Sequence, residues 1–164
     1  MNMLRAYSDV LTGGAVVPPD ANDTTIANIV ISFAVSKIQM THDRMETNTT
    51  MFEPFFNDMN ILHQQHCFID VPLILEAKDG LVTANNLLNI AWSRLSAIRD
   101  LMAPGLAWDL HDVLSRTLRV HVELQRAVTK NRDILHLFHR VVGANRSVFR
   151  NTFGPQLESN TWRW

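Results

Sequence analysis

The chain has 164 residues, of which 46% are hydrophobic and 19% charged, and its formal net charge is −1. That balance suits one domain with a real core and excludes a disordered polymer or a tandem array. Cys67 is the only cysteine, which excludes an internal disulfide and fits a reducing compartment.

Gly13-Gly14 and Pro18-Pro19 mark residues 1–20 as a flexible N-terminal arm. Asp23 is expected to cap a first helix, on which Ile26, Ile29, Val30, Phe33 and Ile38 repeat at three and four. Asn28, Ser32 and Ser36 interrupt this stretch, so it falls short of a bilayer span, and no basic segment with an apolar core signals secretion at the N-terminus. The formal glycosylation sequons headed by Asn22, Asn48 and Asn145 would then go unused.

A second helix is predicted to start after Thr41 and to end near Pro54. Its apolar side is weak: Met45, Met51 and Phe52 supply it, while residues 46–50 are polar. Phe52, Phe55 and Phe56 are expected to seal one end of the core. Residues 67–75, which contain Val71-Pro72, read as a short extended piece. The third helix is predicted to open at Asp79-Gly80, to carry Leu81, Ala84, Leu88, Ala91, Leu95, Ile98 and Met102 on one face, and to stop at Pro104-Gly105.

The strongest pattern runs from Leu106 to Val142. Val113, Val120, Ala127, Ile134 and Val141 recur every seven residues, with Leu110, Leu124 and Phe138 in a second row and Leu114, Val128, Leu135 and Val142 beside the first. A helix of that length spans roughly 50 Å, more than a compact domain of this size needs. The fold expected is all-α: one elongated, antiparallel up-down four-helix bundle over residues 21–142, with extended segments at 1–20 and 143–164.

Charge is unevenly distributed. Residues 1–93 hold four Lys/Arg against ten Asp/Glu, and residues 94–150 hold ten against five. The basic part is rich in arginine: Arg94, Arg99, Arg116, Arg119, Arg126, Arg132, Arg140, Arg146 and Arg150 stand beside Lys130 alone. Guanidinium forks suit phosphate recognition and base stacking. The plainer reading has these arginines solvate a helix face and pair with Asp112, Glu123 and Asp133.

Catalytic and metal signatures are weak. His63, His66 and Cys67 lie within five residues, and His136 and His139 are one helical turn apart, but no Glu is followed three positions later by His as a di-iron bundle requires. No phosphate-cradling Gly-x-x-x-x-Gly-Lys loop or dinucleotide fingerprint is present. An enzyme is therefore not expected, and neither a cofactor nor a resident metal is implied.

Several segments resemble the coat proteins of rod-shaped plant RNA viruses of the tobamovirus type. Asp79-Gly80-Leu81-Val82-Thr83-Ala84 is similar to the Asp-Pro-Leu-Val-Thr-Ala that opens the right radial helix of that family, and Arg94 falls where an arginine lies near its end. Gly143-Ala144-Asn145-Arg146-Ser147-Val148-Phe149 resembles the Tyr-Asn-Arg-Ser-Ser-Phe after the left radial helix. Residues 23–38 and 44–56 have the spacing of the two slewed helices. The chain departs from the pattern at Arg150, where many members have Glu, and in the shorter inner segment 103–108.

The resemblance implies a structural protein that self-assembles into a helical rod-shaped capsid and holds single-stranded viral RNA between its radial helices. It implies a location in the virion, and in host cytoplasm during assembly, with no membrane partner. It makes Arg94, Arg99, Arg116, Arg119 and Arg126 the candidate RNA contacts. It also makes Glu53 and Asp79 a candidate inter-subunit carboxylate pair, whose repulsion a shared proton or calcium would relieve. The competing reading is a cellular helical-bundle adaptor or effector acting through protein–protein contacts.

Overall fold

A short polar side chain ahead of an apolar repeat starts the first helix. In the computed structural model, which describes residues 11, 12, 14, 17–57 and 71–144, α1 covers Asp23–Asn57. Its cap is Asn22 rather than the expected Asp23: the Thr25 amide donates to Asn22 Oδ1 at 2.8 Å, and Asp23 supplies the acidic first turn.

The two helices expected over residues 23–54 are one continuous helix. Ala27, Ile31, Ala34, Ile38, Thr41, Met45, Asn48, Phe52 and Phe55 are all buried, at alternating spacings of four and three. Thr41 and Asn48 hold seam positions with polar side chains, so the repeat passes through the point where the sequence reads as a break. The polar run stays helical because its hydroxyls bond back to the preceding turn: Thr47 Oγ1 donates to the Asp43 carbonyl at 2.9 Å, Thr49 to Met45 at 2.8 Å and Thr50 to Glu46 at 3.0 Å. Pro54 falls in the last turn, where its missing N–H disturbs little of the helix beyond it.

α2 covers Val71–Leu101, so residues 71–75 are helical and not extended, and Asp79-Gly80 lies inside the helix rather than at its start. Pro72 is the second residue, where the absent N–H has no intrahelical partner to lose. The buried seam reads Ile74, Ala77, Leu81, Ala84, Leu88, Ala91, Leu95 and Ile98. Arg99 supplies positive charge to the last turn, and the helix ends at Leu101, one residue short of Met102 and just ahead of the expected stop at Pro104-Gly105, where Gly105 has a φ of 85°.

α3 covers Leu110–Ala144. Asp109 caps it, accepting from the Asp112 amide at 3.1 Å through Oδ2 and from the Val113 amide at 3.1 Å through its carbonyl. Eight of the twelve predicted heptad positions, Val113, Val120, Ala127, Ile134, Leu124, Phe138, Leu114 and Leu135, are buried, Leu110 and Val128 are half-buried, and the side chains of Val141 and Val142 lie outside the description. Thr117 and Asn131 are the polar members of this seam, and Thr117 Oγ1 donates to the Val113 carbonyl at 2.8 Å. The protein is all-α, an architecture compatible with a helical bundle.

The chain divides into two compact units, one within Met1–Met40 and Asn86–Arg126, the other within Thr41–Asn85 and Ala127–Trp164. In the first, Leu11 is fully buried in a cluster with Val30 and Leu114, flanked by Leu110 and Leu118. The predicted N-terminal arm is thus anchored at that point. In the second, the rings of Phe52 and Phe138 stack at 3.8 Å, with Phe55 and Phe56 at 5.7 and 5.6 Å from Phe138. This is the aromatic plug expected from residues 52–56, completed by a residue of α3. Each fully buried ring contributes about 2–3 kcal/mol by removal from water.

Gly80 shows why α2 tolerates a glycine in its interior. A Cβ there would sit 2.9 Å from Ile134 Cδ1 and 3.0 Å from its Cγ1, so the glycine permits close approach of α2 and α3. Gly80→Val is expected to cost more than about 2 kcal/mol through overpacking, whereas Gly80→Ala is near neutral because about 1 kcal/mol of helix propensity offsets the crowding. Urea unfolding of both variants checks this. A stable Gly80→Val protein would mean that the approach is not tight.

Candidate nucleic-acid interface

The five arginines singled out from the sequence all fall in the first unit and are all exposed. On α3, Asp112, Arg116, Arg119, Glu123 and Arg126 follow one another at spacings of three and four, which puts them on one helix face. α2 contributes Arg94 and, five residues on, Arg99, which faces about 140° away around the helix.

Glu123 joins two of these elements. Its Oε1 lies 3.6 Å from Arg94 Nη2 on α2 and 3.8 Å from Arg126 Nη1 on α3, and its side chain is only 13% exposed. One carboxylate therefore holds two guanidiniums from different helices close together. Arg116 Nε meets both carboxylate oxygens of Asp112, at 3.1 and 3.0 Å. Among the described residues Arg99 and Arg119 have no ion pair. Three of the five guanidiniums thus engage two carboxylates, which leaves the set positive. The plainer expectation of pairing with Asp112 and Glu123 is met by Arg94, Arg116 and Arg126, and the Arg116–Asp112 pair, exposed on both sides, contributes little to stability.

An apolar side chain sits among these charges. Val122, 46% exposed, is three residues from Arg119 and four from Arg126 and so neighbours both on the helix surface. Its exposure, at a position within an apolar-rich helix, has no counterpart among the residues expected from the sequence.

The charge asymmetry along the sequence does not become an asymmetry between units. The described part of the first unit has Lys37 and the five arginines against Asp20, Asp23, Asp100, Asp109, Asp112 and Glu123. The second has Arg44, Lys78, Lys130, Arg132 and Arg140 against Asp43, Glu46, Glu53, Glu76, Asp79 and Asp133. Each unit combines acidic and basic stretches of the chain.

Glu53 and Asp79 both belong to the second unit and are exposed. Asp79 is an interior residue of α2, so it is not a helix cap; its carbonyl accepts from Thr83 Oγ1 at 3.1 Å. His136 and His139 are exposed on α3, and the His139 pKa is lowered by burial and by neighbouring His136. His63, His66 and Cys67, the 145–149 segment and the C-terminal tail lie outside the described residues.

One group not foreseen is His42, Asp43 and Glu46, whose ligand atoms lie within 4.8 Å of one another on the exposed face of α1. His42 Nδ1 is 3.8 Å from Asp43 Oδ1, a spacing that fits a surface ion pair. No helix among the described residues is long and apolar enough to cross a membrane. Comparison with known protein families, curated proteins and solved structures finds no match to this chain.

Proposed function

We propose that this chain is a structural coat protein that assembles with copies of itself into a helical rod and encloses single-stranded RNA between its radial helices. One observation carries the reading: Arg119, Val122 and Arg126 lie side by side on α3, with Arg94 of α2 drawn in by Glu123. Cations beside an exposed apolar side chain suit a phosphate backbone with an adjoining base, and such contacts tolerate many sequences. On this reading Arg94, Arg99, Arg116, Arg119 and Arg126 contact RNA, and the protein resides in the virion, or in host cytoplasm while rods form. The eight-residue connection between α2 and α3, residues 102–109, supports an up-down antiparallel arrangement.

The test is protection. Purified protein mixed with single-stranded RNA near neutral pH is expected to shield that RNA from ribonuclease in a footprint that lengthens with protein concentration. RNA that stays fully digestible at every ratio contradicts the proposal.

Within the same proposal, Glu53 and Asp79 of adjoining copies face each other and repel at alkaline pH. Glu53→Gln with Asp79→Asn is then expected to move the disassembly midpoint of the rods upward by about one pH unit, read by light scattering. An unchanged midpoint removes the pair, and calcium with it, from the assembly mechanism.

A protein–protein adaptor is the second reading. It is favoured by the engagement of Arg94, Arg116 and Arg126 with acids of their own chain and by the balanced charge of each unit. It predicts no RNA protection and no polymer.

A further inference from the structure

The first unit buries a histidine at a place ill suited to its charged form. His121 of α3 is 6% exposed, and its ring stacks on Phe33 of α1 at 5.6 Å with 29° between the planes. Its Nε2 has no hydrogen-bond partner among the described residues. The Lys37 ammonium lies 5.5 Å from the centroid of that same Phe33 ring. Phe33 also lines a surface groove of about 560 Å³ together with Thr12, Asn28 and Ser32.

We propose that His121 is an acid-release device of the first unit: neutral, its ring is a stacked member of the core; protonated, it drives the α1–α3 contact at Phe33 apart. An imidazolium needs an acceptor for each of its two N–H groups, and Nε2 has none. Among the described residues no neighbouring charge compensates. On α1 the group that acts on it is Lys37, which repels. α2 brings Arg94, Arg99 and Asp100 to the unit, and Arg94 is held by Glu123. On α3 itself Arg116 is held by Asp112, Glu123 is shared between Arg94 and Arg126, and Arg119 adds a further positive charge. Asp20 and Asp23, before and at the start of α1, are exposed.

Burial first, and Lys37 second, lower the pKa of His121 from 6.5 to about 4. A folded value below the unfolded one fixes the sign: the stability is complete above about pH 6.5, declines as pH falls towards about 4, and is level below that.

Two measurements on the full chain test the device. An NMR titration of the His121 ring is expected to give a midpoint near pH 4; a midpoint at about 6.5 or above overturns the proposal. Hydrogen exchange, corrected for intrinsic rates, is expected to show the opening of residues 110–126 rising roughly 60-fold between pH 7 and pH 4.5. His139, exposed and shifted the same way, is replaced by Gln so that residues 127–140 serve as the control. His121→Leu is expected to remove the rise. Where that variant does not fold, Lys37→Met is expected to raise the ring's midpoint and shrink the rise. An equal rise in both units, a rise that persists in His121→Leu, or an unmoved midpoint in Lys37→Met overturns the proposal.

Discussion

Phe138→Ala is expected to lower the unfolding free energy by about 3–5 kcal/mol, the largest loss from any single truncation in the second unit. The ring is 1% exposed and touches Phe52, Phe55 and Phe56 at once, so its removal leaves a cavity lined by three rings from one helix. Those rings belong to the C-terminal end of α1, and Phe138 is the one Phe, Tyr or Trp in the sequence of α3. Phe138→Leu, which refills much of the volume, is expected to cost about half as much or less. Guanidinium unfolding followed by circular dichroism measures both. Equal losses for the two variants would show that ring stacking rather than volume dominates, and a loss under about 1 kcal/mol for Phe138→Ala would show that the plug is not part of the core.

Replacing Arg94, Arg99, Arg116, Arg119 and Arg126 together by Gln is expected to weaken binding of single-stranded RNA by at least about a hundredfold near physiological salt. Each phosphate contact contributes about 0.7 to the slope of log affinity against log salt, so five contacts give a slope near −3.5, and the variant's slope should fall towards zero. Among the described residues Arg99 and Arg119 have no acid to leave, so the double variant Arg99→Gln, Arg119→Gln should account for more of the loss than Arg94→Gln, Arg126→Gln, whose guanidiniums must first part from Glu123. Fluorescence anisotropy with a labelled oligonucleotide, repeated across a salt series, resolves both quantities. The fold should be insensitive, because these side chains are exposed and their ion pairs contribute little. A salt slope unchanged by all five substitutions would place RNA elsewhere on the molecule.

The all-α class, the seam of α3, the later half of α2 and its stop at Pro104-Gly105 were legible because apolar side chains hold nearly every seam position there. The continuity of α1 was not, because Thr41 and Asn48 occupy seam positions and Pro54 carries a boundary signal that the last turn of a helix can absorb. The start of α2 was misplaced for a different reason. A glycine beside an aspartate reads as a turn, but Gly80 serves close approach to Ile134, which is a tertiary fact. The cap moved by one residue because Asn22 and Asp23 are both good caps and only the Thr25 amide distinguishes them.

The candidate interface was legible as a set of residue types and not as an arrangement. Arginine enrichment pointed to α2 and α3, and Glu123 was foreseen as a partner, but its bridging of Arg94 and Arg126 depends on how two helices meet. The sequence-level charge split proved a poor guide to spatial charge, since each unit draws on both stretches. His121 carried no sequence signal at all: it occupies a position beside the seam like any other flanking residue, and only burial, the Phe33 ring and nearby Lys37 distinguish it.

Polymer formation is the property on which the coat reading stands. Negative-stain electron microscopy of the purified full chain, alone and with single-stranded RNA, between about pH 5 and pH 8 tests it most directly, because charge repulsion between subunits varies over that range. Stacked discs or rods of constant diameter, longer when RNA is present, are the expected result. Monodisperse single subunits under every one of those conditions would contradict it.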